Sequence, residues 1–367
     1  MRRVIWNGVV LVACVLLARK GIAADYRADA KGGEVVAVAV EWKDAARGVE
    51  VPVKVYFPKG ISERKEGVPV VIFSHGLGGS REGYVPWGEA WAGHGYVVVM
   101  PTHVGSDTSV LTGGAEVGAR GGMGAGAMEK LREAANLKNA QRRVQDVSFV
   151  IDEMEKVNAG KLTVAEMKGL EALKGKVDVK HIGMAGHSFG AQTTLAVAGQ
   201  AFAPLANIHG DPRVAAAVAM SPSPAFWGDQ QKAFGNVKIP VFNVTGTADD
   251  NPMGLGNVKA ADRRKVFDNL PVPPEKYLVI FRGATHMTFA PMKGGATPGQ
   301  RLRGLMSGRN AGEVPNTPEQ EERIHTLVME STTAFWDAYL KDDATAKTWL
   351  RGEFAKELGT AGTLEMK

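Results

Sequence analysis

The sequence predicts an α/β fold with a mostly parallel central sheet, helices on both of its faces and an antiparallel edge near the N-terminus. Continuous apolar runs, typical of strands that are buried in a parallel sheet, alternate with segments of helical periodicity. Residues 50–57 instead alternate between apolar and polar, as expected of a half-exposed antiparallel strand. No shift in composition divides residues 25–367, so we expect one domain there.

The first 24 residues have the pattern of an export signal. Arg2 and Arg3 precede the largely apolar segment 4–17, and the small residues Ala23 and Ala24 offer a cleavage site before Asp25. The apolar run is too short and too interrupted for a membrane span, so we expect a secreted or periplasmic protein with no obligate span. Lipid attachment at Cys14 is the alternative, but apolar residues follow Cys14 where lipoproteins usually turn polar.

Removal of this segment changes the charge and the cysteine count. It carries four basic and no acidic residues, so the formal charge falls from +5 to +1, and a nucleic-acid partner is not indicated. Cys14 is the only cysteine. The mature chain therefore has no disulfide, thiolate metal site or cysteine nucleophile.

The predicted strands follow one another along the chain with helices between them. They cover 34–42, 50–57, 68–73, 96–101, 181–185, 214–220, 239–244 and 276–281. Apolar residues at three- and four-residue steps predict a helix over 137–157, and a shorter one is suggested over 164–173. Thr317, Pro318 and Gln320 are the cap, first-turn and capping-box residues of a closing helix.

The stretch Gly186-His187-Ser188-Phe189-Gly190 lies between the strand at 181–185 and the small-residue helix at 191–198. A G-x-S-x-G motif in this setting predicts a nucleophile elbow, in which a strained turn exposes the serine above the carboxyl edge of the sheet. The flanking glycines meet the need for small residues across the turn. Ser188 is therefore the candidate nucleophile.

The loop after the strand at 68–73, Ser74-His75-Gly76-Leu77-Gly78, is the second motif. Acyl transfer builds negative charge on a carbonyl oxygen, which two backbone N–H groups stabilise. We expect the amides of Phe189 and Leu77 to form this oxyanion hole. His75 is expected to brace the loop through hydrogen bonds rather than to act as a base.

A Ser…Asp…His order places the acid after a late strand and the histidine after the last one. Asp249 holds the first position, with Asp250 as the main alternative and Asp211 and Asp229 as weaker ones. His286 follows the strand at 276–281 directly and is the candidate base. Adjacent carboxylates point in different directions, so we do not expect a metal site there.

Aromatic residues and two long loops are candidates for the walls of a substrate pocket. Phe226 and Trp227 follow the strand at 214–220 and would line the pocket or cap the core. The glycine-rich loop at 103–127 and the loop at 288–316 both follow carboxyl ends of strands. We expect both loops near the site, and the sequence leaves open whether either acts as a lid.

These features together resemble an α/β-hydrolase. The loop Ser74–Gly78 and the elbow Gly186–Gly190 are similar to those of the platelet-activating-factor acetylhydrolase and dienelactone-hydrolase-like branch, a resemblance that covers most of 50–340. It implies Ser188 as nucleophile, Asp249 as acid, His286 as base and the Leu77 and Phe189 amides as oxyanion hole, with no cofactor. Dienelactone hydrolases themselves use cysteine where this chain has Ser188.

The expected activity is two-step hydrolysis of a carboxylic ester through an acyl-serine, with a short-acyl ester or a lipid ester as the substrate. Two alternatives remain. One is a serine peptidase or amidase on the same fold, and the other is a non-catalytic ligand-binding protein. The sequence does not indicate an oligomeric state.

Overall fold

The computed structural model describes residues 26, 32–112, 126–202, 210–226, 228–291 and 316–367. The predicted signal segment at 1–24 and the central parts of both long loops lie outside these residues. The described part of loop 103–127 contains a short helix, Ser109–Thr112, rather than loop alone.

Within the described residues, nine strands form one sheet in the order β1-β2-β4-β3-β5-β6-β7-β8-β9. Their bounds are Val35–Asp44, Val49–Pro58, Val68–Ser74, Val97–Pro101, Val177–His187, Val214–Met220, Val241–Ala248, Lys276–Thr285 and Gly362–Met366 for β1 to β9. The strands from β4 to β8 in this order pair in parallel, whereas β1, β2 and β9 pair antiparallel at the two edges. The predicted α/β-hydrolase fold, with its antiparallel N-terminal edge, is confirmed.

Helices cover both faces of the sheet. Their bounds are Val85–Gly93, Ser109–Thr112, Ala127–Ala134, Leu137–Ala159, Phe189–Val197, Gln230–Phe234, Arg264–Asn269, Pro318–Leu340, Ala344–Arg351 and Glu353–Leu358 for α1 to α10. Residues of α1 and α8 to α10 share one buried cluster with the sheet, while α4 to α7 pack on the other face. The apolar stripe that predicted α4 is the face that this helix buries.

Two segments differ from the sequence prediction. Residues 164–173 form turns and a single 3-10 turn, Glu171–Leu173, instead of a helix. Gly169 interrupts the segment with a φ of +83°, which a right-handed helix does not accommodate. From Ala344 onward, where the sequence is charged and weakly patterned and predicts no element, the chain forms α9, α10 and the edge strand β9.

Candidate active site

Ser188 lies at the apex of the turn between β5 and α5. Its φ of +57° and ψ of −116° are a strained conformation for a residue with a side chain. A Cβ on Gly190 would lie 1.9 Å from the Ser74 carbonyl oxygen, and one on Gly186 would lie 2.3 Å from the Gly190 oxygen. The two glycines of the motif are therefore required by close backbone contacts between β3, β5 and α5.

The structure brings together three of the side chains that the sequence singles out. Ser188 Oγ lies 2.8 Å from His286 Nε2, and His286 Nδ1 lies 2.7 Å from Asp249 Oδ1. Asp249 is fully buried, and His286 is 6% exposed. With Nδ1–H donating to the carboxylate, Nε2 is left to accept the hydrogen of the Ser188 hydroxyl.

Asp249 is held from several sides. Thr245 Oγ1 donates to Asp249 Oδ2 at 2.8 Å, and Arg263 Nε lies 2.9 Å from Asp249 Oδ1. Burial alone would raise the pKa of Asp249, but the charge of Arg263, the interaction with His286 and the hydrogen bonds outweigh it and hold this pKa below its ordinary value. Asp249 is therefore ionised at neutral pH.

His286 has the character of a neutral base. Burial is the largest influence and lowers its pKa, and the positive charge of Arg263 acts in the same direction. The hydrogen bond and charge of Asp249 oppose this change only in part, so the pKa of His286 lies below its ordinary value. The imidazole is then unprotonated at neutral pH and able to take a proton.

Asp250, the alternative acid, lies apart from His286. Its carboxylate pairs with Lys259 Nζ at 3.0 Å and accepts the Ala260 N–H at 2.9 Å. Asp211 pairs with Arg213, and Asp229 caps α6. Of the four carboxylates that the sequence offers, only Asp249 contacts His286 in the described part of the chain.

Leu77 and Phe189 flank Ser188 in one pocket. Phe189 is the first residue of α5, so its N–H has no partner inside the helix. On either side of Leu77, the Gly76 N–H donates to Tyr84 Oη and the Gly78 N–H donates to the Ser106 carbonyl. These bonds fix the backbone on both sides of Leu77.

The side chain of Arg143, on α4, contacts the backbone of the Leu77 loop. It is fully buried, and its Nη1 donates to the His75 carbonyl at 2.6 Å. Its guanidinium also lies 4.3 Å from the centre of the Phe189 ring. Burial lowers the pKa of Arg143 to about 9, so the side chain remains cationic at neutral pH. One side chain thus joins both segments that carry the predicted oxyanion amides.

A second Ser-His-Asp hydrogen-bond chain lies under the same loop. Ser74 Oγ donates to His103 Nε2 at 2.9 Å, and His103 Nδ1 donates to Asp146 Oδ2 at 2.9 Å. The three residues are at most 5% exposed, so this chain braces the loop out of reach of a substrate. His75 joins it by accepting the His103 N–H at 3.0 Å through Nε2, in the bracing position expected from the sequence.

His187 connects the loop to the backbone of His286. Its Nε2–H donates to the His286 carbonyl at 2.8 Å, and Tyr84 Oη donates to its Nδ1 at 2.9 Å. Burial, followed by the nearby His286, lowers the pKa of His187 to about 3. His187 is therefore a neutral structural link.

The pocket above Ser188 has a volume of about 320 Å³. Its wall combines apolar side chains with the polar Gln192, Ser223 and Asn251. Phe226 is 40% exposed and lines this pocket rather than capping the core. Trp227, the other aromatic candidate, lies outside the described residues.

No helix among the described residues is long and apolar enough to cross a membrane. Within the same residues, no three or more His, Cys, Asp or Glu side chains come together as a metal ion would require.

Comparison with known proteins agrees with the fold. Residues 47–220 match the family described as platelet-activating factor acetylhydrolase, isoform II. This segment runs from β2 to the end of β6 and includes the Leu77 loop and Ser188, whereas Asp249 and His286 lie beyond it.

Two curated relatives carry the same name. The chain is 25% identical to the platelet-activating factor acetylhydrolase of Bos taurus over 234 residues, which are 61% of this chain and 48% of that protein. It is 28% identical to the enzyme of Canis lupus familiaris over 140 residues, or 35% of this chain and 32% of that protein. The chain thus spans about half or less of these relatives. The sheet order and the elbow show an α/β-hydrolase fold, and residues 47–220 are similar to the platelet-activating factor acetylhydrolase family.

Proposed function

We propose that the chain is a serine hydrolase that cleaves carboxylic esters, with Ser188 as nucleophile, His286 as base and Asp249 as acid. The observation that carries this proposal is the continuous hydrogen-bond chain from Ser188 Oγ through His286 to the buried Asp249, opening into a pocket. The names of the relatives indicate hydrolysis of an acetyl ester of a lipid.

The geometry supports two chemical steps. In the first, His286 Nε2 takes the Ser188 proton as Oγ attacks the ester carbonyl, and the amides of Leu77 and Phe189 receive the developing oxyanion. The tetrahedral intermediate collapses, and His286 returns the proton to the leaving alcohol. In the second step His286 takes a proton from water, the hydroxide attacks the acyl-serine, and the acid leaves as Ser188 regains its proton.

For the substrate we propose an ester with a short acyl group, on a small molecule or a lipid. The acetyl group in the name of the relatives supports a short acyl group. A pocket of about 320 Å³ lies next to Ser188, and the polar Gln192 and Ser223 line it beside Phe226. A larger alcohol portion would extend out of the pocket into solvent.

A panel of esters that share one alcohol and differ in acyl length tests this proposal, with matched amides measured beside them. We expect kcat/KM to be highest for acyl groups of two to about four carbons and to fall for longer acyl chains. Amide cleavage faster than ester cleavage would favour a peptidase or amidase. Ligand binding without turnover would favour a non-catalytic protein.

We also propose that residues 1–24 direct export and are removed. The basic, apolar and small-residue segments of this stretch support the proposal. N-terminal sequencing of the protein from its native host should begin at Asp25 or near it. An N-terminus at a lipid-modified Cys14 would instead support the lipoprotein alternative.

A further inference from the structure

Arg263 is a buried cation that contacts two members of the proposed triad. It immediately precedes α7 and is 1% exposed. Its Nε lies 2.9 Å from Asp249 Oδ1 and donates to the Asp249 carbonyl at 2.6 Å. Its Nη2 lies 3.0 Å from His286 Nδ1.

The remaining contacts of Arg263 tie together the ends of two strands. Its Nη1 donates to the carbonyls of Ser221 at 2.7 Å and Pro222 at 3.1 Å, directly after β6. Asp249 directly follows β7. One planar guanidinium therefore fixes the Asp249 side chain and backbone relative to the neighbouring loop, which a flexible ammonium would not reproduce.

The contact with His286 has an electrostatic consequence. Asp249 Oδ1 and His286 Nδ1 are 2.7 Å apart, so a hydrogen lies between them and Nδ1 cannot also accept from Arg263. The Arg263 charge then lies beside the imidazole without a hydrogen bond to it. A second positive charge on His286 at this distance is disfavoured.

We propose that Arg263 is a positioning residue of this site, which holds the Asp249 carboxylate in place and keeps His286 unprotonated under mildly acidic conditions. The inference rests on the proposed function, in which His286 acts as the base. Its consequence is that the acid side of the activity profile extends to lower pH than the same triad would allow without Arg263.

Other ionisable groups face this part of the site from the surrounding elements. His187 packs against His286 with ring centres 4.8 Å apart, and it is neutral because burial lowers its pKa to about 3. Asp250 and Asp262 act on Arg263 through their charges. From α8, Glu321 lies 3.5 Å from Thr288 Oγ1, and His325 contacts the Thr288 carbonyl. Among the described residues, two charged groups are in direct contact with the His286 ring, namely Asp249 and Arg263.

The test is an NMR titration of His286 in ¹⁵N-histidine-labelled full-length protein, with the signal assigned by its loss in His286→Gln. This measurement needs no turnover, so its result is separate from the outcome of the ester panel. In Arg263→Met we expect the midpoint of His286 to rise by about one pH unit. Arg264→Met is the matched control, because the Arg264 side chain is 43% exposed and pairs with Asp268 and Glu365.

The pH dependence of kcat/KM provides the second readout. The acid limb of Arg263→Met should move to higher pH by the same amount, while that of Arg263→Lys, which keeps the charge, should stay near the wild-type position with a lower kcat. A purely structural role would lower activity at every pH without moving the limb. A folded Arg263→Met or Arg263→Gln with the wild-type midpoint would overturn the proposal. If neither variant folds, the titration of the wild-type protein decides between the outcomes. A His286 midpoint of about 6.5 or higher in the wild type would contradict the proposal.

Discussion

Asp249 and Asp250 are adjacent, but the structure gives them different surroundings. Asp249 is fully buried between His286, Arg263 and Thr245, whereas Asp250 forms a partly exposed ion pair with Lys259. A carboxylate that orients a catalytic histidine and stabilises the imidazolium must contact Nδ1. Only the first of the two meets this requirement.

Replacement of each aspartate therefore separates the two assignments. We expect Asp249→Asn to lower kcat on the order of 10⁴-fold, because an amide stabilises the wrong tautomer of His286 and does not stabilise the imidazolium. Asp250→Asn should stay within about threefold of the wild type, as expected for loss of a partly exposed ion pair. Steady-state kinetics on one short-acyl ester, with circular dichroism to verify folding, makes the comparison. A greater loss in Asp250→Asn than in Asp249→Asn would contradict the assignment.

At the scale of single residues, the sequence predicts the positions that a motif defines. Ser188 follows from the elbow, and Asp249 and His286 follow from chain order, although their catalytic roles stay predictions. Arg263 could not be found this way. It lies in the polar run Lys259-Ala260-Ala261-Asp262-Arg263-Arg264-Lys265, which is typical of an exposed segment, and only tertiary packing distinguishes it from Arg264.

The Leu77 loop shows how neighbouring elements support the site. The loop follows β3, and α4 packs below it through Arg143, which also contacts the Phe189 ring at the start of α5. The buried chain from Ser74 through His103 to Asp146 adds a second attachment, which continues to Arg47 through an ion pair of 2.8 Å. Contacts among β3, α4 and α5 therefore set the position of the proposed oxyanion amides.

Removal of the Arg143 side-chain contacts should affect the transition state more than substrate binding. For Arg143→Met we expect kcat to fall roughly 10- to 100-fold with little change in KM, because the two amides lose their relative position. Arg142→Met is the control, since the preceding arginine is only half-buried. Equal losses in the two variants, or a change confined to KM, would show that Arg143 does not act on the oxyanion site.

At the scale of elements, buried strands and the long amphipathic helix follow from apolar patterns. The capping box predicted at Thr317 is present at the start of α8. The edge strand β9 was missed because its five residues are half-buried or exposed and carry no continuous apolar run. The short helix suggested at 164–173 was wrong because Gly169, with its positive φ, interrupts the segment.

The whole molecule buries several histidines in their neutral form. Burial lowers the pKa of His103 to about 4 and that of His187 to about 3, and the pKa values of His75 and His286 also lie below the ordinary value. An unfolded histidine takes up a proton near pH 6.5, whereas these folded ones do not. The unfolded state therefore binds more protons in mildly acidic solution.

From this we predict that the free energy of unfolding falls steadily as the pH decreases from about 6.5 to about 4, by several kcal/mol in total. The lowered pKa of Asp249 adds to the loss only below about pH 4, where this carboxylate is protonated in the unfolded chain. Urea unfolding at a series of pH values measures the slope. We propose that residues 25–367 unfold as one domain, in a single transition. Stability that is constant from pH 7 to 4.5 would contradict the neutral burial of these histidines.

The central claim is that Ser188 is an activated nucleophile, and labelling with a fluorophosphonate followed by intact-mass measurement tests it most directly. The wild type should gain one adduct, and Ser188→Ala should gain none. Ser223→Ala, which alters another serine of the same pocket, should label like the wild type. Folded wild type without an adduct, or an adduct that persists in Ser188→Ala, would contradict the account.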